Sequence, residues 1–125
     1  MRHLLVLALI LAIPFAGGCG RGEERAQAWA ASATNTLGTL ETQTDHKLTP
    51  TVEAFDSAMK ELGYFKGETT LKLTEAALTY RGSGDTVVSV KLKEFPTYTN
   101  IKVRCGVMGD ESLSRRILAR AHREF

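Results

Sequence analysis

Residues 99–108 read TNIKVRCGVM, and their strict alternation is the tightest constraint in the chain. Successive side chains of a strand point to opposite faces. Thr99, Ile101, Val103, Cys105 and Val107 therefore fall on one side, and Asn100, Lys102, Arg104, Gly106 and Met108 on the other. Such a strand needs one face covered and one face wet, the habit of antiparallel sheets. Gly109 ends the run. Asp110 then stands as a helix N-cap, with Glu111 near the positive end of the helix dipole. Leu113, Ile117, Leu118 and Ala121 supply the apolar stripe of this closing helix, and Arg120, His122 and Arg123 suit its negative end. Glu111 and Arg115 are spaced for an ion pair one turn apart.

The preceding segments fit the same sheet. Val88, Val90 and Leu92 alternate with Ser89, Lys91 and Lys93 until Pro96, which cannot donate to a ladder. Ala76, Leu78 and Tyr80 alternate before them, and RGSGD at 81–85 is a hairpin connection whose glycines are free to take positive φ. Residues 69–74 put Leu71 and Leu73 on one face of a further strand, and TLETQTD from Thr39 alternates weakly. Between these, Thr49-Pro50 reads as N-cap and first helical position, followed by Val52, Phe55, Met59 and Leu62 at helical spacing and by Gly63 as C-cap. The expected fold is α+β and two-layer: an antiparallel sheet of about four to five strands with two helices on one face. Residues 39–125 are enough chain for one modest core.

The N-terminus has a different character. After Met1-Arg2-His3 comes LLVLALILAIPF, residues 4–15. It is too short for a bilayer, which takes about 20 apolar residues, and it matches a secretory signal peptide. Ala16, Gly17 and Gly18 are small, and Cys19 follows. AGGC resembles a bacterial lipobox, with Ala16 where leucine, valine or isoleucine is usual. The resemblance implies cleavage before Cys19 and its modification with three acyl chains, where two already make an anchor stable. An ordinary signal peptide cut after the same glycines is the plainer alternative; lipidation is favoured because a cysteine there has no other obvious use. Cys105 would then be the only remaining thiol, so no internal disulfide is expected.

These readings divide the chain into a signal peptide at 1–18, a lipid-anchored tether at 19–38 and an α+β domain at 39–125. Ala26, Trp29, Ala30, Ala33 and Leu37 share one face of a short helix in the tether, but they offer little to bury. The expected state is a mostly unstructured spacer, reaching about 65 Å if fully extended. The location implied is the bacterial cell envelope, facing the periplasm or exterior. Gly20, in place of aspartate, points to the outer membrane rather than the inner.

Catalytic, metal and cofactor chemistry find no footing. There is no CxxC, HExxH, GxSxG elbow or P-loop lysine, and Ser83 sits in a hairpin. Asp110, Glu111 and Ser112 are explained by capping, and Cys105 by core packing. The chain is therefore expected not to be an enzyme, with no cofactor and no metal. Net charge is only +2, which with the compartment disfavours nucleic acid. The remaining lead is the wet face of the sheet, where Lys72, Arg81, Lys91, Lys93, Lys102 and Arg104 are expected to point to one side. A field of one sign recruits anionic partners such as lipid, wall polymer or an acidic protein; the blander reading is a solvated face that blocks edge pairing. The expected function is a non-catalytic binding or scaffolding module held to the membrane by its N-terminal lipid. The alternative is a structural envelope lipoprotein that assembles through a sheet edge.

IKVRCGVMGDESLSRRIL at 101–118, VSVKLKEF at 88–95 and AMKELGY at 58–64 together resemble a family of small bacterial lipoproteins of unknown function. The resemblance runs from about Leu40 to the C-terminus. It implies a secreted, lipid-anchored α+β domain and supplies no activity. Cys105 stands where that family leads one to expect an aliphatic residue.

Overall fold

The computed structural model describes residues 20–125. The signal-peptide and lipidation expectations at 1–18 and Cys19 lie outside the described residues. In chain order the elements are α1 (Gly20–Ala31), β1 (Thr34–Thr36), β2 (Thr39–Thr44), α2 (Leu48–Glu61), β3 (Phe65–Leu71), β4 (Glu75–Arg81), a 3₁₀ turn (Ser83–Asp85), β5 (Val87–Glu94), β6 (Thr99–Cys105) and α3 (Glu111–Arg123). The strands form one antiparallel sheet in the order β1-β2-β6-β5-β4-β3. The fold is α+β, and the described residues form six strands where four to five were expected and three α-helices where two were.

Alternation in the sequence becomes burial in the sheet. Leu40, Ala76, Leu78, Tyr80, Val88, Val90, Leu92, Ile101, Val103 and Cys105 are buried on the inner face. They pack against Phe55, Ala58 and Met59 of α2 and Ile117, Leu118 and Ala121 of α3 in one continuous core. Tyr80 is buried whole, and its hydroxyl is satisfied by donating to Asp56 Oδ1 at 2.6 Å. Burial first and the Asp56 carboxylate second push that phenol well above its ordinary range.

Four local expectations change. Val107 does not join the buried face, because Gly106 at φ +72° turns the chain after Cys105 and ends β6. Leu71 and Leu73 are not core: β3 is exposed along its whole length as an edge strand, and Leu73 stands in the turn beyond it. Helix α2 starts two residues earlier than expected, at Leu48 rather than Pro50, with Lys47 rather than Thr49 as N-cap, and Lys47 makes no side-chain cap bond. The cap comes from across the fold, since Leu48 N–H donates to Glu94 Oε1 at 2.8 Å.

The fourth concerns the spacer. Residues from Gly20 onward are already folded, as α1 and then β1. Ala26, Ala30 and Ala33 are buried, so their small size is what permits α1 to lie close against α3. Arg115 of α3 donates to the carbonyls of Ala30, Ala31 and Ala33 at 2.8, 3.0 and 3.2 Å, capping the end of α1 from outside. Arg123 reaches Glu23 at 3.2 Å near the other end. Trp29 donates from Nε1 to the Gln43 carbonyl at 3.1 Å, and its ring lies 5.1 Å from His122 and 5.8 Å from Phe125.

The sheet thus has two distinct ends. The Arg123–Glu23 pair sets the first turn of α1 beside the last turn of α3, and Phe125 packs on His46 at 4.8 Å, just past β2. Thr99 Oγ1 donates to the His46 carbonyl at 2.7 Å. This proximal end, where Gly20 lies, also carries the β3–β4 and β5–β6 turns, since Glu75 pairs with Lys93 and Glu94 with Thr99. The distal end carries the β1–β2 and β4–β5 turns and the β6–α3 connection.

Candidate functional site: a basic groove on the outer sheet face

Register decides which cations meet. On the outer face one row across the sheet runs Ala77, Lys91, Lys102 and Glu41, from β4 to β2. The row nearer the proximal end runs Glu75, Lys93, Asn100 and Gln43, and the row nearer the distal end Thr79, Ser89, Arg104 and Thr39. Lys91 and Lys102 are therefore direct cross-strand neighbours, and both are exposed. Like charges in that relation are destabilising. Glu41 is placed to relieve Lys102, but its Oε2 accepts from Asn100 Nδ2 at 3.0 Å. Among the described residues, no carboxylate comes within ion-pair distance of Lys91, Lys102 or Lys72.

Lys72, Lys91, Lys93 and Lys102 line one shallow groove, together with the carboxylate of Glu75 and with Ala77 and Asn100. Lys72 is brought there by the β3–β4 turn, closed by its own N–H donating to the Glu75 carbonyl at 2.8 Å. Ala77 leaves the floor low beside Lys91. Lys93 is partly occupied, with Nζ 3.9 Å from Glu75 Oε1 and 5.3 Å from the Phe95 ring centre.

The other two predicted cations stand apart. Arg81 lies at the distal end of β4, opposite Phe65 and Val87. Arg104 has a structural task. Its Nη1 donates to the Leu37 carbonyl at 2.7 Å and to Thr39 Oγ1 at 3.2 Å, and its Nη2 donates to the Val107 carbonyl. This clips the β1–β2 turn to the β6–α3 connection, where Gly38 and Gly109 meet backbone to backbone. A Cβ on Gly109 would lie 2.5 Å from Gly38 Cα, and one on Gly38 2.7 Å from the Met108 carbonyl, so neither position admits a side chain.

Elsewhere the reactive groups are withdrawn. Cys105 is buried and accepts from Ser114 Oγ at 3.2 Å; burial, foremost, pushes its thiol up. Ser83 lies in the 3₁₀ turn between β4 and β5. Among the described residues there is no cluster of three or more His, Cys, Asp or Glu able to hold a metal ion, and no helix long and apolar enough to cross a membrane.

What this arrangement can do is hold negative charge. Three ammonium groups without carboxylate partners among the described residues give this groove a local field of one sign, which attracts anions. Alternation alone placed the six predicted cations on one face. It did not reveal Asn100, which draws Glu41 away from Lys102, because that depends on register between strands distant in sequence. No curated protein matches this chain significantly. A family model does match, over residues 3–123, and the chain belongs to the family it describes, DUF3568, proteins of unknown function.

Proposed function

We propose that this chain is a non-catalytic binding module of the bacterial cell envelope, anchored by lipid on Cys19, that takes an anionic ligand in the groove of Lys72, Lys91, Lys93 and Lys102. The observation that carries the reading is the Lys91–Lys102 pair: two exposed like charges side by side, with the nearest available carboxylate hydrogen-bonded elsewhere. Such a pair costs stability in the free protein, and a bound anion returns it. The charge-reversal test belongs at Lys91→Glu with Lys102→Glu, because Arg104 holds the fold. Tripolyphosphate serves as the probe, followed by NMR shifts at residues 77, 91 and 102. The native protein is expected to bind it with affinity that falls as salt rises, and the double variant to lose binding. Equal shifts in both proteins, or none in either, would overturn the reading.

The second reading, assembly through a sheet edge, has its own observation in β3. All seven of its residues are exposed, and among the described residues nothing pairs with its outer side. Against it, the register shift between Lys66 and Thr69 interrupts the ladder with a bulge, a usual guard against edge pairing. Zero-length cross-linking in cells separates the two, since a partner that survives the Lys91/Lys102 reversal but is lost when Thr69 becomes proline belongs to the edge.

A further inference from the structure

Among the described residues six large apolar side chains are conspicuously exposed, and five of them fall into groups at the two ends of the sheet. At the distal end Leu37, Val107 and Met108 are 90%, 88% and 87% exposed; at the proximal end Leu71 and Leu73 are 63% and 93% exposed. The two groups have different surroundings. The guanidinium next to the distal group, that of Arg104, is consumed by backbone carbonyls and a hydroxyl, and Asp110 and Glu111 lie close by in sequence. The proximal group has Lys72 between its two leucines. Beside it, at the neighbouring β5–β6 turn, Phe95 and Tyr98 stack at 4.8 Å with Lys93 over the Phe95 ring, and Lys47 Nζ donates to the Pro96 carbonyl at 3.4 Å. The acids facing these turns are committed, Glu94 accepting from Leu48 N–H and Glu75 facing Lys93, while Asp45, Glu53 and Glu124 lie at the same end on the side of His46 and Phe125.

We infer that the proximal end is a bilayer-contacting surface, on which Leu71, Leu73, Phe95 and Tyr98 enter the interface of an anionic membrane while Lys47, Lys72 and Lys93 meet its headgroups. Apolar side chains among cations, with aromatic rings at the boundary, is the composition that settles into a lipid interface. Lysine stems lie along the apolar zone and keep their ammonium groups at phosphate level. Position supports the same occupant. The chain outside the described residues leaves from Gly20, at this end and not at the distal one, and α1 is folded from its first residue. A membrane that holds Cys19 is therefore brought directly against these turns, whereas the distal leucine, valine and methionine are kept about 25 Å away by the length of the strands. In its orientation, the inference rests on the lipid anchor proposed above.

The test uses the full-length protein as expressed, extracted from membranes and reconstituted into vesicles. One sample carries Leu73→Cys and another Met108→Cys, each labelled with an environment-sensitive fluorophore; buried Cys105 stays unlabelled. Vesicles of phosphatidylethanolamine and phosphatidylglycerol contain a nitroxide-bearing phospholipid as quencher. The label at 73 is expected to shift to the blue and to be quenched at least about two-fold more than the label at 108. In phosphatidylcholine vesicles the difference should shrink. Equal quenching at both positions, or none at 73, would overturn the proposal. Protection at 73 that follows protein density rather than lipid quencher would assign the surface to a second copy of the chain, and overturn it too. Quenching that is unchanged in phosphatidylcholine would remove the anionic lipid from it. The mass of the purified protein reports lipid on Cys19 separately, so an unmodified cysteine sinks the anchor while the quenching comparison still decides the contact.

Discussion

Arg104 and Lys102 occupy the same face of one strand two residues apart, yet they do opposite things. Lys102 ends in solvent beside another ammonium, while the longer, forked head of Arg104 gathers three acceptors from two turns. Removing it leaves those carbonyls without their donor, so Arg104→Ala should cost about 2 kcal/mol in urea unfolding. Arg104→Lys should recover little, because one ammonium cannot span acceptors that a fork reaches together. Leu37, on the turn that Arg104 holds, sits at φ +52°, a conformation that L side chains with a Cβ avoid. With Gly38 it makes a two-residue hairpin loop for which Asn-Gly is the preferred pair. Leu37→Asn should therefore stabilise the protein by about 0.5–1 kcal/mol, read as a raised urea midpoint at unchanged slope. Alternation in the sequence told which side of the sheet Arg104 is on. It could not tell where the head goes, since Leu37 and Val107 come close to it only through turns at positive φ.

Helix α1 shows the same limit one level up. Its alanine stripe was visible, but alanines bury too little to hold a helix unless a partner presents a flat surface, and that surface is α3, whose N-terminus lies 80 residues downstream of α1's last turn. The two arginines that fasten it also belong to α3. By contrast β5, β6 and α3 were legible because their periodicity is complete within each segment. The α2 start was misplaced by two residues for a related reason: Thr49-Pro50 is a good local cap, and Glu94 from β5 is a better one already in place. At the α1–α3 seam, burial and then the neighbouring His46 hold the His122 pKa below its ordinary 6.5. A depressed histidine pKa means that the unfolded or undocked chain binds the proton more readily. The seam is then firm above 6.5 and loosens as pH falls below it. Trp29 is the only tryptophan and lies against His122, so its emission should shift to the red between pH 7.5 and 5, and His122→Gln should flatten that response.

For the whole molecule, the proposed binding and stability are set against each other at the centre of the outer face. Lys91→Glu turns a like-charged cross-strand pair into an opposite one and should raise stability by about 0.5 kcal/mol in urea unfolding, while weakening tripolyphosphate binding. A variant that lost both would mean that Lys91 is a packing residue and that the groove has no use for its charge. The groove opens between the proximal turns and the middle of the sheet, so an anchored molecule would present it sideways, close to the headgroups rather than out in solution.

A folded start has one more consequence, for the durability of the molecule. Proteases cut extended chain, and loose termini are where nicking concentrates. From Gly20 onward the first stretch outside an element is the short one between α1 and β1, and Ala33 within it is buried. For a chain held at Cys19, as proposed, severing the domain from its anchor therefore waits on the unwinding of α1. When opening and closing are fast relative to cleavage, the rate of release reads out the free energy of that one helix. Acidification, by loosening the seam at His122, would shorten the residence of a chain so anchored without touching the sheet that carries the groove.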